Sequence, residues 1–316
     1  MKKLVAAFGI AISTLASADY PTHPVRIVVP FTPGGSNDGL TRVIGERLAQ
    51  RLGQAVVIDN KPGAGGIIGA EAVARSPADG HTLLMAPSLL VAKKILVRSI
   101  PYDIDKDFVR VARVASSPSL LIVPASSPMK SVAELVAYGK AHPGTLTYAS
   151  TGVGSTPHIN AEILKGETGI DAVHVPYKGG APALIDLIGG RVSFMLSTPG
   201  EVMPHLKAGK VHALAVSGRD RMPQLPELPT LAEAGLANPG QTPWWGIVAP
   251  TGTPPAVVQR LSTELIAILR EPDTRKAIEG LGLQVAPLDS QQFDAFFHEE
   301  VKRFTEVVRR FNIPSE

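Results

Sequence analysis

Residues 31–41 hold the first group of side chains whose spacing could do chemistry. Phe31-Thr32-Pro33-Gly34-Gly35-Ser36-Asn37-Asp38-Gly39 is a run of small and polar residues. It follows the apolar run Val25–Pro30 and precedes Leu40, Val43, Ile44 and Leu48, which are spaced as one face of a helix. A strand that stops at such a loop and opens into a helix leaves several N–H groups without partners. The helix dipole favours negative charge at the same point. From Gly34 to Thr41 the chain departs from the phosphate-binding pattern G-x-x-x-x-G-K-[ST] at one place, where Leu40 stands for Lys. The loop therefore predicts an anion site that lacks the cation a nucleotide triphosphate needs.

Three more junctions repeat this chemistry: Pro62–Gly66, Ser150–Pro157 and Tyr177–Gly180. One such loop is commonly no more than a tight turn, but four in one chain point to a binding cleft. Gly63-Ala64-Gly65-Gly66-Ile67-Ile68-Gly69 misses the dinucleotide fingerprint, because Ile68 occupies the third glycine position. Support for catalysis is thin. Ser155 and His158 are three apart, yet no G-x-S-x-G elbow surrounds Ser155. The eight histidines never fall at a metal-binding spacing, and Glu299-Glu300 reads as a solvated helix face. His158, at a helix start, reads as a polar contact or cap partner. Tyr177-Lys178 could place a phenol and an ammonium in the cleft, although a lysine there could equally reach solvent. Trp244-Trp245 reads as core, with the option that one ring walls the cleft.

The elements that must position these loops alternate. Strand-like runs are Val25–Pro30, Ala55–Asn60, Thr82–Ala86, Leu120–Val123, Leu146–Ala149, Ala172–Pro176, Ser193–Leu196 and Ala213–Val216. Helical patterns lie between them, and two long amphipathic helices, Thr253–Leu269 and Ser290–Phe311, follow an irregular Pro-rich stretch, Arg219–Pro243. The alternation predicts an α/β fold with parallel or mixed sheets and ligand at the carboxyl ends of the strands. There are too many strands for one small sheet. The C-terminal helices are expected to pack back on the first domain, making it discontinuous.

The ends and the composition narrow the setting. Lys2-Lys3, the apolar run Leu4–Leu15 and Ala16-Ser17-Ala18 read as a secretory signal, too short for a membrane anchor of roughly 20 residues. The chain has no cysteine, so disulfides, thiolate chemistry and a lipid-bearing cysteine are excluded. It carries 31 basic and 28 acidic residues, and removing Lys2 and Lys3 leaves 29 basic. That near balance points to neither nucleic acid nor a membrane surface as partner. Charged residues make up 19%, below the usual roughly 25%, which leaves ample apolar material for buried cores.

Several stretches together resemble one family. They are Pro30–Asp38, Asn60–Gly66, Ala78–Leu84, Tyr148–His158, Val173–Gly179, Pro204–Lys210 and Leu228–Gly235. In this order, over nearly all of the chain after the signal, the sequence resembles the Bug or TctC-type extracytoplasmic solute receptors of tripartite tricarboxylate transporters. The resemblance implies a two-domain, type II-like periplasmic binding protein with its ligand cleft between the domains. The implied division is 1–18 as signal peptide, 19–122 plus 246–316 as domain one and 123–245 as domain two. It also implies a small organic carboxylate as ligand, membrane permease subunits as partners, a monomer, no cofactor, no metal and no catalytic residue. An exported enzyme acting on an organic acid, or a receptor that presents ligand to a sensor, are the competing readings.

Carried over by motif, the first loop would contribute Phe31, Pro33, Gly34, Gly35 and Asp38, the last either to ligand or only to the helix start. The second domain would contribute Thr151, Gly152, Thr156, Tyr177, Lys178 and Gly179. Two departures matter. After Met85 the family's Gly-Thr-like stretch is replaced by Ala86-Pro87-Ser88-Leu89, leaving Ser88 as the usable contact. Where the family often has Met-Phe-Asp, this chain has Met195-Leu196-Ser197. An Asp there could pair with a ligand ammonium and Ser197 cannot, so amino acids are expected to bind less well than plain organic acids.

Overall fold

A computed structural model of the protein describes residues 20–313 except 98, 178, 219, 220, 223 and 239. The expected signal peptide and the candidate Lys178 lie outside the described residues. The chain first forms β1 (Val25–Val29), α1 (Ser36–Leu52), β2 (Val56–Asn60), α2 (Ile67–Ala74), β3 (Thr82–Pro87), α3 (Leu89–Leu96) and β4 (Phe108–Ser116). It continues through β5 (Leu120–Pro124), α4 (Val132–Ala141), β6 (Leu146–Ser150), α5 (Thr156–Thr168), β7 (Ala172–Pro176), α6 (Gly180–Ile188), β8 (Phe194–Ser197), α7 (Pro199–Lys207) and β9 (Val211–Val216). It ends with β10 (Trp244–Pro250), α8 (Pro255–Arg270), α9 (Pro272–Gly280), β11 (Gln284–Leu288) and α10 (Ser290–Arg310).

These elements build two mixed sheets, ordered β11-β4-β10-β3-β1-β2 and β7-β6-β8-β5-β9. The inner strands of the first sheet have helices on both faces, so they read as unbroken apolar runs; all six residues of β3 are buried. Val25, Ile27 and Leu83 pack under α1 and α8, while Val28, Leu84 and Val248 pack under α2 and α10 on the opposite face. The second sheet divides its core in the same way, with Leu121 and Tyr148 on one side and Ile122 and Ala149 on the other.

The returning strand β10 runs antiparallel between β3 and β4, so the first lobe is built from two separated parts of the chain. The crossings are 117–119 and 241–243. The boundaries expected at 122/123 and 245/246 lie within β5 and β10. The crossings lie side by side, with the Ser117 N–H donating to the Pro243 carbonyl at 2.9 Å. Asn160 of α5 holds the second crossing at both backbone atoms of Gln241. Its Oδ1 accepts from the N–H at 2.6 Å and its Nδ2 donates to the carbonyl at 2.9 Å.

The sequence pattern hides β4 because Arg110 and Arg113 interrupt its apolar alternation. Helix α10 resolves the conflict by laying Phe297 4.1 Å from the Arg110 guanidinium and Phe296 4.5 Å from that of Arg113. Asp105 and Asp294 flank Arg110 as counter-charges. Helix α10 also reaches the second lobe, where Arg310 donates to Glu167 at 2.8 Å.

Replacing Asn160 by Ala would leave both polar groups of Gln241 buried without partners. At about 1–3 kcal/mol for each such group, Asn160→Ala is expected to lower the guanidinium unfolding midpoint clearly. A midpoint unchanged from the wild type would refute this role.

Candidate ligand-binding cleft

The carboxyl ends of both sheets face each other across a cavity of about 250 Å³. This is slightly below the roughly 300–1,000 Å³ usual for drug-sized ligands and fits a smaller molecule. A wider groove of about 580 Å³ lies around residues 94–107, away from the strand ends. There Lys94 is already paired with Asp103 and Asp105. The cleft is thus the site in which polar groups of both lobes converge.

In the first lobe the wall is made by Phe31, Thr32, Gly35, Ser36 and Asn37, with Gly65 and Ser88 beside them. Asp38 shapes this loop from behind. One carboxylate oxygen accepts from the Gly34 N–H at 3.0 Å and from Arg42 Nε at 2.9 Å, and the other accepts from Asn60 Nδ2 at 3.1 Å. Burial alone would raise its pKa, but the bonds from Arg42, Gly34 and Asn60 outweigh it and hold the carboxyl below its usual range. Gly34 takes a φ of +90°, which a side chain would strain. Asp38 is therefore buried scaffolding for the loop and does not line the cleft.

In the second lobe, Thr151, Ser155 and Thr156 come from the loop between β6 and α5. Two histidine rings brace that loop, His158 buried and His174 half-buried. The Gly154 N–H donates to His158 Nδ1 at 3.2 Å, and Ser150 Oγ lies 2.6 Å from His174 Nε2. The first contact assigns the proton of the neutral His158 ring to Nε2. Ser155 Oγ donates to the Gly152 carbonyl at 2.6 Å and accepts the His158 N–H at 3.4 Å, as a helix cap does. Burial, then the neighbouring His174, pushes His158 down to about 4, with Glu162 opposing and Lys165 and Lys93 adding to the shift. The remaining wall is Gly179 and Gly180 at the start of α6, and Ser197, Thr198 and Glu201 around the start of α7.

Of the expected contacts, Phe31, Gly35, Ser88, Thr151, Thr156, Gly179 and Ser197 line the cavity. Pro33, Gly34, Asp38, Gly152 and Tyr177 do not. Gly152 supplies a carbonyl within its own loop, and the Tyr177 hydroxyl donates to Asp186 at 2.8 Å. Sequence reasoning missed Ser36 and Asn37, although they directly follow Gly35. It also missed Glu201, one helical turn beyond Ser197. The crossings add Ser119 and Pro243, and the start of β10 adds Trp244 and Trp245. Trp244 also packs on Phe293 and donates to Glu300 at 3.2 Å, so it serves core and wall together.

Three cleft-lining residues carry buried polar atoms without a hydrogen-bond partner: Asn37 Oδ1, Thr198 Oγ1 and Trp245 Nε1. Such atoms are costly unless a ligand or water pairs with them. Among the described residues no Lys or Arg lines the cavity, and Glu201 is the charged side chain that does. Helices α1, α5, α6 and α7 all begin at the cleft, offering N-terminal N–H groups. Elsewhere, His23, Asp79 and His81 come within 4.8 Å, a convergence invisible in their spacing. The two imidazoles stack face to face at 3.6 Å.

Fold and site define a two-lobe solute-binding protein. The chain matches the family described as "Tripartite tricarboxylate transporter family receptor" over residues 40–313 and belongs to that family. Protein BugT of Bordetella pertussis is 36% identical over 317 residues, covering 98% of this chain and 97% of BugT. Among solved structures, R. palustris Rpa4515 with adipate is 38% identical with a TM-score of 0.89, over 94% of this chain and 100% of that one. MatC from Rhodopseudomonas palustris with bound malate is 34% identical with a TM-score of 0.82, over 92% and 100%.

The depressed His158 makes stability pH-dependent. The unfolded ring takes up its proton near 6.5 and the folded ring only near 4, so its contribution is complete above pH 6.5 and is lost as pH falls towards 4. The loss is on the order of 3 kcal/mol, and denaturant midpoints for His158→Gln should be flatter with pH over this window. Asp38→Ala should weaken ligand binding although Asp38 does not line the cleft; an unchanged dissociation constant would contradict its scaffolding role.

Proposed function

We propose that this protein is a periplasmic receptor that captures a small organic carboxylate between its lobes and delivers it to a tripartite tricarboxylate-type permease. One observation carries this reading: helix N-termini, hydroxyls and unpaired buried polar atoms of both lobes converge on one cavity. The ligands of the two similar structures, adipate and malate, are carboxylates. The paired crossings at 117–119 and 241–243 are suited to hinge closure over the ligand. Residues 1–18, read as a signal peptide, would export the chain. Among the described residues no helix is long and apolar enough to cross a membrane. The receptor is proposed to work as a monomer, with the permease supplying the membrane path.

Catalysis is the weaker reading because the groups it would use are already engaged. Ser155 Oγ donates to a backbone carbonyl and His158 Nδ1 receives a backbone N–H. Neither holds the other as nucleophile and base. Micromolar affinity needs about 8 kcal/mol, which several charge-assisted bonds of roughly 1.5–3 kcal/mol each supply after ordering costs.

Calorimetry against a panel of organic acids should find a ligand that is recovered unchanged after incubation, with small-angle scattering showing compaction on binding. Thr151→Val and Thr156→Val should each weaken that ligand about tenfold, the loss of one such bond. Turnover of the ligand would overturn the receptor reading. Binding with no uptake defect on deletion of the permease would leave presentation to a sensor.

A further inference from the structure

Ser197 ends β8 beside a carboxylate on the same wall, that of Glu201. Ser197 Oγ donates to Glu201 Oε2 at 2.6 Å, which orients the acid across one turn of α7. Gly180 makes room for it: a Cβ at that position would lie 2.5 Å from both Glu201 oxygens. The carboxylate therefore sits against the first residue of α6 while itself belonging to the first turn of α7. Negative charge is favourable at both helix ends. Thr198, with its unpartnered buried hydroxyl, adjoins it on the same wall.

We propose that Glu201 is a specificity-determining residue of the cleft, selecting a carboxylate whose far end carries a hydrogen-bond donor, an ammonium foremost. This rests on the carboxylate-receptor reading and names its ligand class. One end of the ligand would meet the N–H groups and hydroxyls of the loops at Gly35 and Thr151–Thr156. The other end would meet Glu201, Ser197 and Thr198. A second ionised carboxylate placed there would face the Glu201 carboxylate. Like charges brought together in a closed cleft are rejected, and an ammonium of the same reach is accepted. The expectation that amino acids bind poorly, drawn from Ser197 alone, loses its basis because Ser197 acts by orienting an acid rather than by replacing one.

Matched ligands test this directly: adipate against 6-aminohexanoate and 6-hydroxyhexanoate, and succinate against 4-aminobutanoate and 4-hydroxybutanoate, by calorimetry. In the wild type the amino acid of at least one length should bind at least about tenfold tighter than its dicarboxylate, with the hydroxy acid between them. Glu201→Gln, nearly isosteric, and Glu201→Ser should each erase or reverse that preference while the hydroxy acid still binds. Dicarboxylates that at both lengths bind the wild type as tightly as their amino partners, or a preference untouched by both variants, overturn the role of Glu201 and leave the carboxylate receptor standing. Binding by none of the six acids overturns this inference, while the wider panel of organic acids decides the carboxylate reading separately.

Discussion

The antiparallel insertion of β10 between β3 and β4 is the constraint on which the rest of the structure depends. All seven of its residues are buried, and it pairs on both edges. A strand in that position forces the chain to leave the first lobe, build the second and come back beside its own exit. The crossings therefore run together, as the bond from Ser117 to Pro243 records. The carboxyl ends of the two sheets then face each other across a narrow gap. Trp244 and Trp245, the first residues of β10, become part of the wall for the same reason.

Binding an anion with helix ends and hydroxyls, as proposed, would have a physical consequence. Partial charges on N–H groups fall off quickly with distance and would lose their partner if the lobes parted, so affinity would be tied to closure. A fixed cation would hold the ligand on one lobe even in the open state. The ammonium of the buried Lys93 lies at the Gly65 turn, 3.3 Å from where a Cβ would stand. The cleft surface itself carries the opposite charge through Glu201, giving its two walls different chemical preferences.

Much of the polar chemistry serves to hold the loops in shape. Asp38 binds the Gly34 N–H, and His158 binds that of Gly154, each from beneath the loop. These groups line no surface, yet they decide which N–H groups remain for a ligand. Their charges are set by burial and partners, which is why Asp38 stays ionised easily while His158 resists protonation.

The sequence by itself determined the alternation of strands and helices and the four Gly- and Thr-rich junctions, because these follow from local periodicity and backbone freedom. It also revealed Phe31, Gly35, Thr151 and Thr156, whose neighbours spell recognisable loops. It hid β4, where Arg110 and Arg113 break the apolar pattern until α10 covers them. Only the tertiary structure decided that Asp38 and Tyr177 point to partners of their own, that Gly180 exists to admit Glu201, and that Asn37, Thr198 and Trp245 share one cavity. Those facts depend on contacts between segments far apart in the chain, and residue spacing carries no record of such contacts.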